Sequence, residues 1–278
     1  MSSTPVQSAP RDHFSRIVAQ WSHLGPPLRP CADDTAVVQR VAQRLGATAH
    51  AVVLGLTPET IGCDWPEEVT LTAVDHSLKM IQDLWPPVKR PVHSTAIRAD
   101  WCAMPFETGA IDMVAGDGCY VLPGFPEGYA MLTREVCRVL RPGGRFVIRV
   151  FLRPEHPDSV ADIARAVALG HVGSVHSLKL RLLAAVHGAS GEGSLLDDVW
   201  QAWRTMPALP DSLPGARGWT IEEIAGIESY RGMDTRYYLP TLAEFRQSVG
   251  ARFDEVEFAR GRHELAERCP TIILTRRT

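Results

Sequence analysis

The stretch "AVVLGLTPETIG", Ala51–Gly62, decides the fold, because an apolar run stops at a glycine and a helix start follows at once. The run Ala51–Leu54 is typical of a buried strand, and Gly55 permits a tight turn after it. In "TPE", Thr57 suits the N-cap, the proline suits the first helical position, and Glu59 complements the helix dipole. The stretch predicts the strand, turn and helix of a nucleotide-binding domain, although most of the glycines usual in that turn are missing.

Composition limits the classes of protein to which the chain can belong. With 278 residues, 45% of them hydrophobic, the chain can bury a sizeable core as one domain or as one domain with a large insertion. A net charge of -3 argues against nucleic acid or an anionic membrane surface as the main partner. The first residues lack an apolar signal region, and no later stretch is long and uncharged enough to span a bilayer. We therefore expect a cytoplasmic protein and leave its oligomeric state open.

The cysteines argue against both a disulfide framework and a zinc site. They are scattered, with no CxxC pair, and this is typical of reduced, mostly buried thiols. We therefore expect no bound metal. The six are Cys31, Cys63, Cys102, Cys119, Cys137 and Cys269.

Strand-like and helical patterns alternate through the first half of the chain, as in a parallel sheet with helices on both faces. Such sheets bind ligands at the carboxyl ends of their strands. Near the end of the chain, "FDEVEFARG" and "CPTIILTRR" are typical of an antiparallel pair that closes the sheet. The five earlier strand-like runs are Ala51–Gly55, Val69–Asp75, His93–Arg98, Ala110–Ala115 and Arg145–Phe151.

Four segments are expected along the chain. Residues 1–30 form a tail and cap segment whose first 12 residues are disordered, and 31–151 form the core. The sequence of residues 152–240 has helical and loop-like patterns, and we interpret it as an insertion that includes the loop "PALPDSLPGARG". Residues 241–278 complete the sheet. Because an insertion after the fifth strand emerges at the carboxyl edge, the insertion should cover that edge as a lid.

Three carboxylates follow strands of this predicted sheet. Asp75 is placed to accept hydrogen bonds from both hydroxyls of a ribose; the alternative is that it, or Ser77, only caps the next helix. Asp100 could accept a hydrogen bond from an adenine amino group, with Trp101 as a flat surface beside it, or it could be an ordinary surface residue in a turn. Asp117 ends the next strand at the same edge.

Three motifs together, "VDHSLKM", "ADWCAMPFETGAIDMV" and "EVCRVLRPGGRFVIRVF", resemble those of class I S-adenosylmethionine-dependent methyltransferases. The resemblance covers roughly residues 33–151 and 241–277. It implies an α/β, Rossmann-like, doubly wound fold with a mostly parallel seven-stranded sheet, an antiparallel last strand and a helical lid insertion. It also implies S-adenosyl-L-methionine as the cofactor.

The resemblance assigns roles to individual residues. It places Asp75 on the ribose, Asp100 beside the adenine amino group, and Trp101 and Met80 against the adenine ring. It places Arg141–Gly144 in a structural turn before strand five. The cofactor-binding residues that it implies are Gly55, Thr57, Glu59, Asp75, His76, Met80, Asp100, Trp101, Gly116 and Asp117, the last two near the methionine moiety.

The opening loop departs from the family pattern. Gly55 takes the place of an acidic residue, and Thr57 and Glu59 take the places of two glycines. We expect Glu59 to turn outward or to meet the ammonium group of the cofactor. A nicotinamide-binding domain, the nearest alternative, needs those glycines for its pyrophosphate contact, whereas a sulfonium cofactor has no pyrophosphate.

The predicted activity is methyl transfer to a small-molecule acceptor by in-line displacement. A non-catalytic relative that binds or regulates is the alternative, and a nucleic-acid or protein methyltransferase is disfavoured because no base-flipping motif or basic domain is present. The segment around Trp21 could cover the site; this tryptophan, like Trp200 and Trp203, could instead belong to the lid core or a dimer contact. Candidate bases, none of them assigned as catalytic, are Tyr120, His156, His171, His176, Tyr237 and Tyr238.

Overall fold

The structure, a computed structural model, describes residues 13–206 and 218–278. The predicted disordered tail lies outside the described residues, as does most of the predicted loop "PALPDSLPGARG".

A seven-stranded sheet forms the centre of the described chain, in the order β3-β2-β1-β4-β5-β9-β8. The first five strands in this order are parallel, whereas β9 is antiparallel to both of its neighbours. The prediction of a mostly parallel sheet with an antiparallel last strand is therefore confirmed. The strands are β1 (His50–Leu54), β2 (Thr70–Asp75), β3 (Ser94–Arg98), β4 (Ile111–Asp117), β5 (Leu140–Arg149), β8 (Phe253–Ala259) and β9 (Thr271–Arg276), and a separate pair is formed by β6 (Ser194–Leu195) and β7 (Arg236–Tyr237).

Several helices begin at a serine or threonine that caps them. The side chains of Ser77, Ser159, Ser174, Thr220 and Thr241 each accept a hydrogen bond from the backbone N–H three residues on, which satisfies a donor that the helix itself leaves free. The helices in the described ranges are α1 (His13–Gln20), α2 (Ala32–Ala42), α3 (Pro58–Ile61), α4 (Leu78–Leu84), α5 (Glu127–Val139), α6 (Val160–Ala168), α7 (Val175–Ala185), α8 (Leu196–Arg204), α9 (Ile221–Glu228) and α10 (Leu242–Gly250).

The interior strand β1 is apolar from Ala51 to Leu54 because both of its faces are covered. Val52 and Leu54 belong to the buried cluster on one side of the sheet, with residues of α5 and α10. Ala51 and Val53 belong to the cluster on the other side, with residues of α2 and α4. Alternate side chains of a strand point to opposite faces, so a continuous apolar run fits a sheet with helices on both sides.

The segment Arg141–Gly144, predicted as a turn before strand five, lies within the span of β5. The pairing of β5 with β4 is irregular there, because it passes from Ile111↔Leu140 directly to Met113↔Arg145. Gly143 has φ +73°, a conformation that favours glycine. The segment is therefore an interruption of β5 rather than a separate turn before it.

The inserted helices have a hydrophobic core of their own. Residues of α6, α7, α8 and α9 form a third buried cluster that includes Leu180, Val199 and Trp203. The indole N–H groups of Trp200 and Trp203 both donate to Glu228, over 2.8 and 3.2 Å. These contacts agree with the lid-core alternative for the two tryptophans.

The N-terminal helix α1 is held against the inserted helices. Gln20 Nε2 donates to the carbonyl of Ala225 over 3.1 Å, and the guanidinium of Arg16 donates to the carbonyl of Ser229. Within the described ranges, no helix is both long and apolar enough to cross a membrane.

A buried ion pair joins the carboxyl ends of β4 and β5. Arg149 Nε lies 2.6 Å from Asp117 Oδ1, and the two side chains are 3% and 8% exposed. Arg149 Nη1 also donates to the carbonyl of Pro27 over 2.7 Å. The pair therefore connects the sheet edge to the segment that precedes α2.

Removing Arg149 should destabilise the protein strongly, because it leaves the Asp117 carboxylate buried without its cation. We expect Arg149→Met to lower the free energy of unfolding by about 3 kcal/mol or more, measured by urea denaturation. Arg141→Met is the matched control: Arg141 Nε lies the same 2.6 Å from Asp112 Oδ1, but its side chain is 52% exposed. The control should lose less than about 1 kcal/mol. Equal losses would show that burial is not the reason.

Candidate functional site

A cavity of about 160 Å³ opens at the carboxyl ends of β1, β2 and β4. Its sheet side is formed by the residues where those strands end, among them Leu54, Asp75 and Asp117. Its other side is formed by α1, α7 and the residues around β7. The cavity therefore lies between the sheet edge and the helices predicted to form a lid, where a parallel sheet is expected to bind its ligand.

Gly55 shapes the first turn of the site. Its φ is +86°, a backbone conformation that residues other than glycine rarely adopt. A Cβ at this position would lie 3.5 Å from the ring of Trp101. Trp101 is fixed in turn, because its Nε1 donates to the carbonyl of Val74 over 2.6 Å. The loop thus keeps one conformationally required glycine beside a positioned aromatic ring.

Asp75 is a buried carboxylate on the cavity surface, with only 3% of the residue exposed. Its Oδ1 accepts the backbone N–H of Ser77 over 2.7 Å, whereas the helix N-cap itself is the Ser77 hydroxyl. Burial raises the pKa of Asp75, and the hydrogen bond from Ser77 opposes the change. Asp75 therefore does not cap the helix. Its second oxygen, Oδ2, lies on the side of Gly55, where it would be 3.9 Å from a Cβ at that position.

The structure brings together six of the ten predicted cofactor residues. Thr57 and Met80 are buried on the cavity surface, and Asp117 lines it while paired with Arg149. The six are Gly55, Thr57, Asp75, Met80, Trp101 and Asp117.

The other four predicted residues do not line the cavity. Glu59 pairs with Arg29, and His76 has a side chain that is 55% exposed. Asp100 is exposed and accepts the N–H of Cys102 over 2.8 Å within its own turn. Gly116 faces the packed interior, where a Cβ would lie 2.8 Å from Cys119 Sγ.

Sequence reasoning missed Lys179, which the lid presents to the cavity. It is 3% exposed, its Nζ donates to the carbonyl of Gly226 over 3.1 Å, and Nζ lies 4.5 Å from the centre of the Tyr230 ring. Burial lowers its pKa to about 7. The only signal in the sequence is a single lysine among the leucines of "VHSLKLRLL", a pattern that an exposed helix face also produces.

The candidate bases have different environments. Tyr237 lines the cavity, and burial raises its pKa well above the usual value. The hydroxyl of Tyr120 is buried in the sheet core and lies 2.8 Å from that of Thr133. His176 is buried in α7, where burial first and the nearby Lys179 second lower its pKa to about 4. The remaining three, His156, His171 and Tyr238, do not line the cavity.

One group of metal-ligating residue types lies outside the cavity. Ligand atoms of Cys31, Asp34 and His263 all lie within 4.8 Å of one another. The Asp34 carboxylate already accepts the N–H of Cys31 over 2.9 Å and the hydroxyl of Thr271 over 3.1 Å. These bonds give Asp34 a structural role at the start of α2, and the absence of a bound metal stays a prediction.

Residues 59–148 match the sequence model of a family described as a methyltransferase domain. The matched range runs from α3 into β5 and includes Asp75, Trp101 and Asp117. By sequence, residues 59–148 resemble a methyltransferase domain. The family uses S-adenosyl-L-methionine as its cofactor. No curated protein matches the sequence.

Solved structures share the fold of this methyltransferase domain at low identity. An S-adenosylmethionine-dependent methyltransferase from Methanosarcina mazei is 14% identical, with a TM-score of 0.51 over 86% of this chain and 97% of its own. The N-methyltransferase NodS from Bradyrhizobium japonicum, in complex with S-adenosyl-L-homocysteine, is 10% identical, with a TM-score of 0.51 over 94% and 98%. A protein named as a zinc-dependent alcohol dehydrogenase from Rhodobacter sphaeroides is 13% identical, with a TM-score of 0.55 over 95% and 98%.

At these identities each likeness shows the fold alone. The sheet order argues against a dinucleotide-binding domain, which has six parallel strands in the order 3-2-1-4-5-6. Here the antiparallel β9 lies next to β5. The topology therefore agrees with the methyltransferase domain found by the family match.

The lowered pKa of Lys179 should make stability depend on pH. An unfolded lysine has a pKa near 10.4, so between about pH 7 and 10 the unfolded chain binds the proton that the folded chain has released, and stability rises with pH. The quantity to follow is the difference in the free energy of unfolding between the wild type and Lys179→Met. We expect this difference to rise with pH in this range, by at most about 1.4 kcal/mol per pH unit. Denaturation at a series of pH values measures it.

Below about pH 7 the contribution of Lys179 itself should be flat, because Lys179 is then protonated in both states. Lys179 also lowers the pKa of His176, so a change in the difference below about pH 6.5 reports on His176. A difference that falls as the pH rises would contradict the lowered pKa. The other charged or titratable groups on or beside the cavity are present in both proteins: Arg16, Asp75, Asp117, His176, Tyr230 and Tyr237.

Proposed function

We propose that the protein is an S-adenosylmethionine-dependent methyltransferase that acts on a small-molecule acceptor inside the cavity beneath its lid. The observation that carries the proposal is the buried Asp75 carboxylate, placed beside Gly55 in a lid-covered cavity of a methyltransferase domain. A buried carboxylate is costly unless hydrogen bonds compensate it. Asp75 accepts the backbone N–H of Ser77, and a ligand in the cavity could supply further bonds. The two hydroxyls of a ribose supply such bonds.

The residues on the sheet side fit the adenosine half of the cofactor. Asp75 would accept hydrogen bonds from the ribose, and the Trp101 ring and Met80 would flank the adenine. Gly55 leaves the space that a Cβ would occupy between the Trp101 ring and Asp75 Oδ2. Asp100, outside the cavity surface, would act at most on the exposed edge of the adenine.

Thr57, Asp117 and Gly118 would form the pocket for the methionine half. Asp117 enters this pocket already neutralised by Arg149, which fixes its orientation. Glu59 takes no part in the pocket, because its pairing with Arg29 holds it away from the cavity surface. The substitution of glutamate for a loop glycine is therefore accommodated without a second carboxylate against that of the cofactor.

The chain's own contribution to the reaction is alignment and exclusion of water. When bound, S-adenosylmethionine supplies a methyl group on a sulfonium, which is already activated for in-line displacement. The lid residues Lys179, Tyr230 and Tyr237 would hold the acceptor against the sheet side, and α1 would close the cavity. Alignment of this kind is worth about 7 to 11 kcal/mol in favourable cases.

The shape of the cavity favours an enzyme over the non-catalytic alternative. A relative that had lost cofactor binding would be expected to fill this space with side chains. Here the buried carboxylate of Asp75 faces about 160 Å³ of open space, with Thr57 and Gly55 beside it. A cytoplasmic location remains a proposal that rests on the sequence alone.

Asp75→Asn should weaken S-adenosylmethionine binding by about tenfold or more, or about 1.4 kcal/mol, because the amide loses the charge and one acceptor. Calorimetric titration of purified protein measures this. Asp83→Asn is the matched control, since Asp83 is on the surface of α4, where it pairs with Lys79 over 2.5 Å. Asp100→Asn should weaken binding less than Asp75→Asn.

Two results would contradict the proposal. Wild-type protein that neither binds S-adenosylmethionine nor retains it through purification would leave the non-catalytic alternative. A loss as large for Asp83→Asn as for Asp75→Asn would show that the effect does not arise in the cavity.

A further inference from the structure

Lys179 is a buried cation without an anion. Within the described ranges no carboxylate forms an ion pair with it; its Nζ donates to the carbonyl of Gly226 and lies over the face of the Tyr230 ring. An ammonium group has three N–H donors, and the carbonyl uses one of them. A desolvated charge is unfavourable unless it is paired, so this group is incomplete in the free protein.

Lys179 has His176 and Gln20 as polar neighbours, and much of the cavity surface on which it lies is apolar or aromatic. Tyr230 and Tyr237 lie on the lid side of the cavity, and Leu122 and Phe151 come from the ends of the sheet. Gly226 has no side chain, and a Cβ there would lie 3.5 Å from Lys179 Nζ. Arg16 is the other cation among the described residues of the cavity surface, and it donates to the carbonyl of Ser229.

We propose that Lys179 binds an anionic oxygen of the methyl acceptor, so that the acceptor is a small apolar or aromatic molecule bearing an ionised hydroxyl or a carboxylate. This inference rests on the proposed function, because it takes the lid side of the cavity as the acceptor site. The spare N–H donors of Lys179 supply the charged hydrogen bonds, and the apolar residues take the body of the molecule.

Binding would change the ionisation of both Lys179 and the acceptor. The anion would compensate the buried ammonium, and the ammonium would stabilise the ionised form of the acceptor. The lowered pKa of free Lys179 would then rise when the anion binds. A neutral molecule of the same shape would gain only the apolar contacts.

The experiment compares para-nitrophenol, para-nitrobenzoate and the neutral para-nitroanisole as probes, with and without S-adenosyl-L-homocysteine. Affinity is measured by calorimetry, and ionisation of para-nitrophenol by its visible absorption. The wild type should bind at least one anionic probe, and Lys179→Met should weaken it by about tenfold or more. The apparent pKa of bound para-nitrophenol should fall in the wild type and not in Lys179→Met.

Three variants complete the comparison. Lys179→Arg should retain part of the anion affinity because it keeps the charge. Lys89→Met, at an exposed lysine, should bind as the wild type does. Arg16→Met should weaken the anionic probes less than Lys179→Met does. Whether the phenol or the benzoate binds more tightly distinguishes an ionised hydroxyl from a carboxylate as the natural group.

Several results would overturn the inference. The first is that the wild type binds neither anionic probe. The second is that Lys179→Met binds the anionic probes with the affinity of the wild type. The third is that Lys179→Met loses as much affinity for the neutral para-nitroanisole as for the anions, which would indicate packing rather than charge. A loss found in Arg16→Met but not in Lys179→Met would assign the anion to Arg16. Because the titrations are also made without cofactor, they report on Lys179 even if S-adenosylmethionine fails to bind, so the two failures are distinguishable.

Discussion

The ion pair between Arg149 and Asp117 connects the parts from which the site is built. It joins the carboxyl ends of β4 and β5, and Arg149 also binds the backbone of Pro27 in the segment that leads into α2. A buried pair tolerates little displacement, because separating its members exposes each to a low-dielectric interior. The N-terminal segment is therefore held at the sheet edge, and α1, with Arg16 and Gln20 bound to the residues at and after α9, covers the cavity.

Burial destabilises the charged forms of Asp75 and Lys179, two groups on the cavity surface. Burial raises the pKa of Asp75 on the sheet side and lowers that of Lys179 on the lid side. Both changes show that the charged form is destabilised by loss of water. Natural sites often retain such groups because a ligand supplies the missing partner. In our proposal the ribose hydroxyls complete Asp75, and an anionic acceptor completes Lys179.

The altered glycine loop illustrates how a family motif can change while its geometry persists. Gly55 keeps the positive φ that the turn requires, and Thr57 lies buried on the cavity surface. Glu59, which replaces a glycine, pairs with Arg29 instead of facing the cavity. In our proposal, the pocket at Thr57 that would bind the cofactor carboxylate therefore has no unpaired charge from Glu59 beside it.

The sequence by itself determined the sheet, its antiparallel closing pair and the inserted helices, because these depend on the period of apolar residues along the chain. It also predicted that Asp75 and Trp101 lie at the carboxyl edge of the sheet, where both line the cavity, since carboxyl ends of parallel strands meet at one edge. Only the tertiary structure showed that Asp100 lies outside the cavity surface, that Glu59 pairs with Arg29, and that Lys179 faces inward. These outcomes depend on how the lid and the N-terminal segment pack on the sheet. Such contacts join residues far apart in the chain, and no local pattern of residues specifies them.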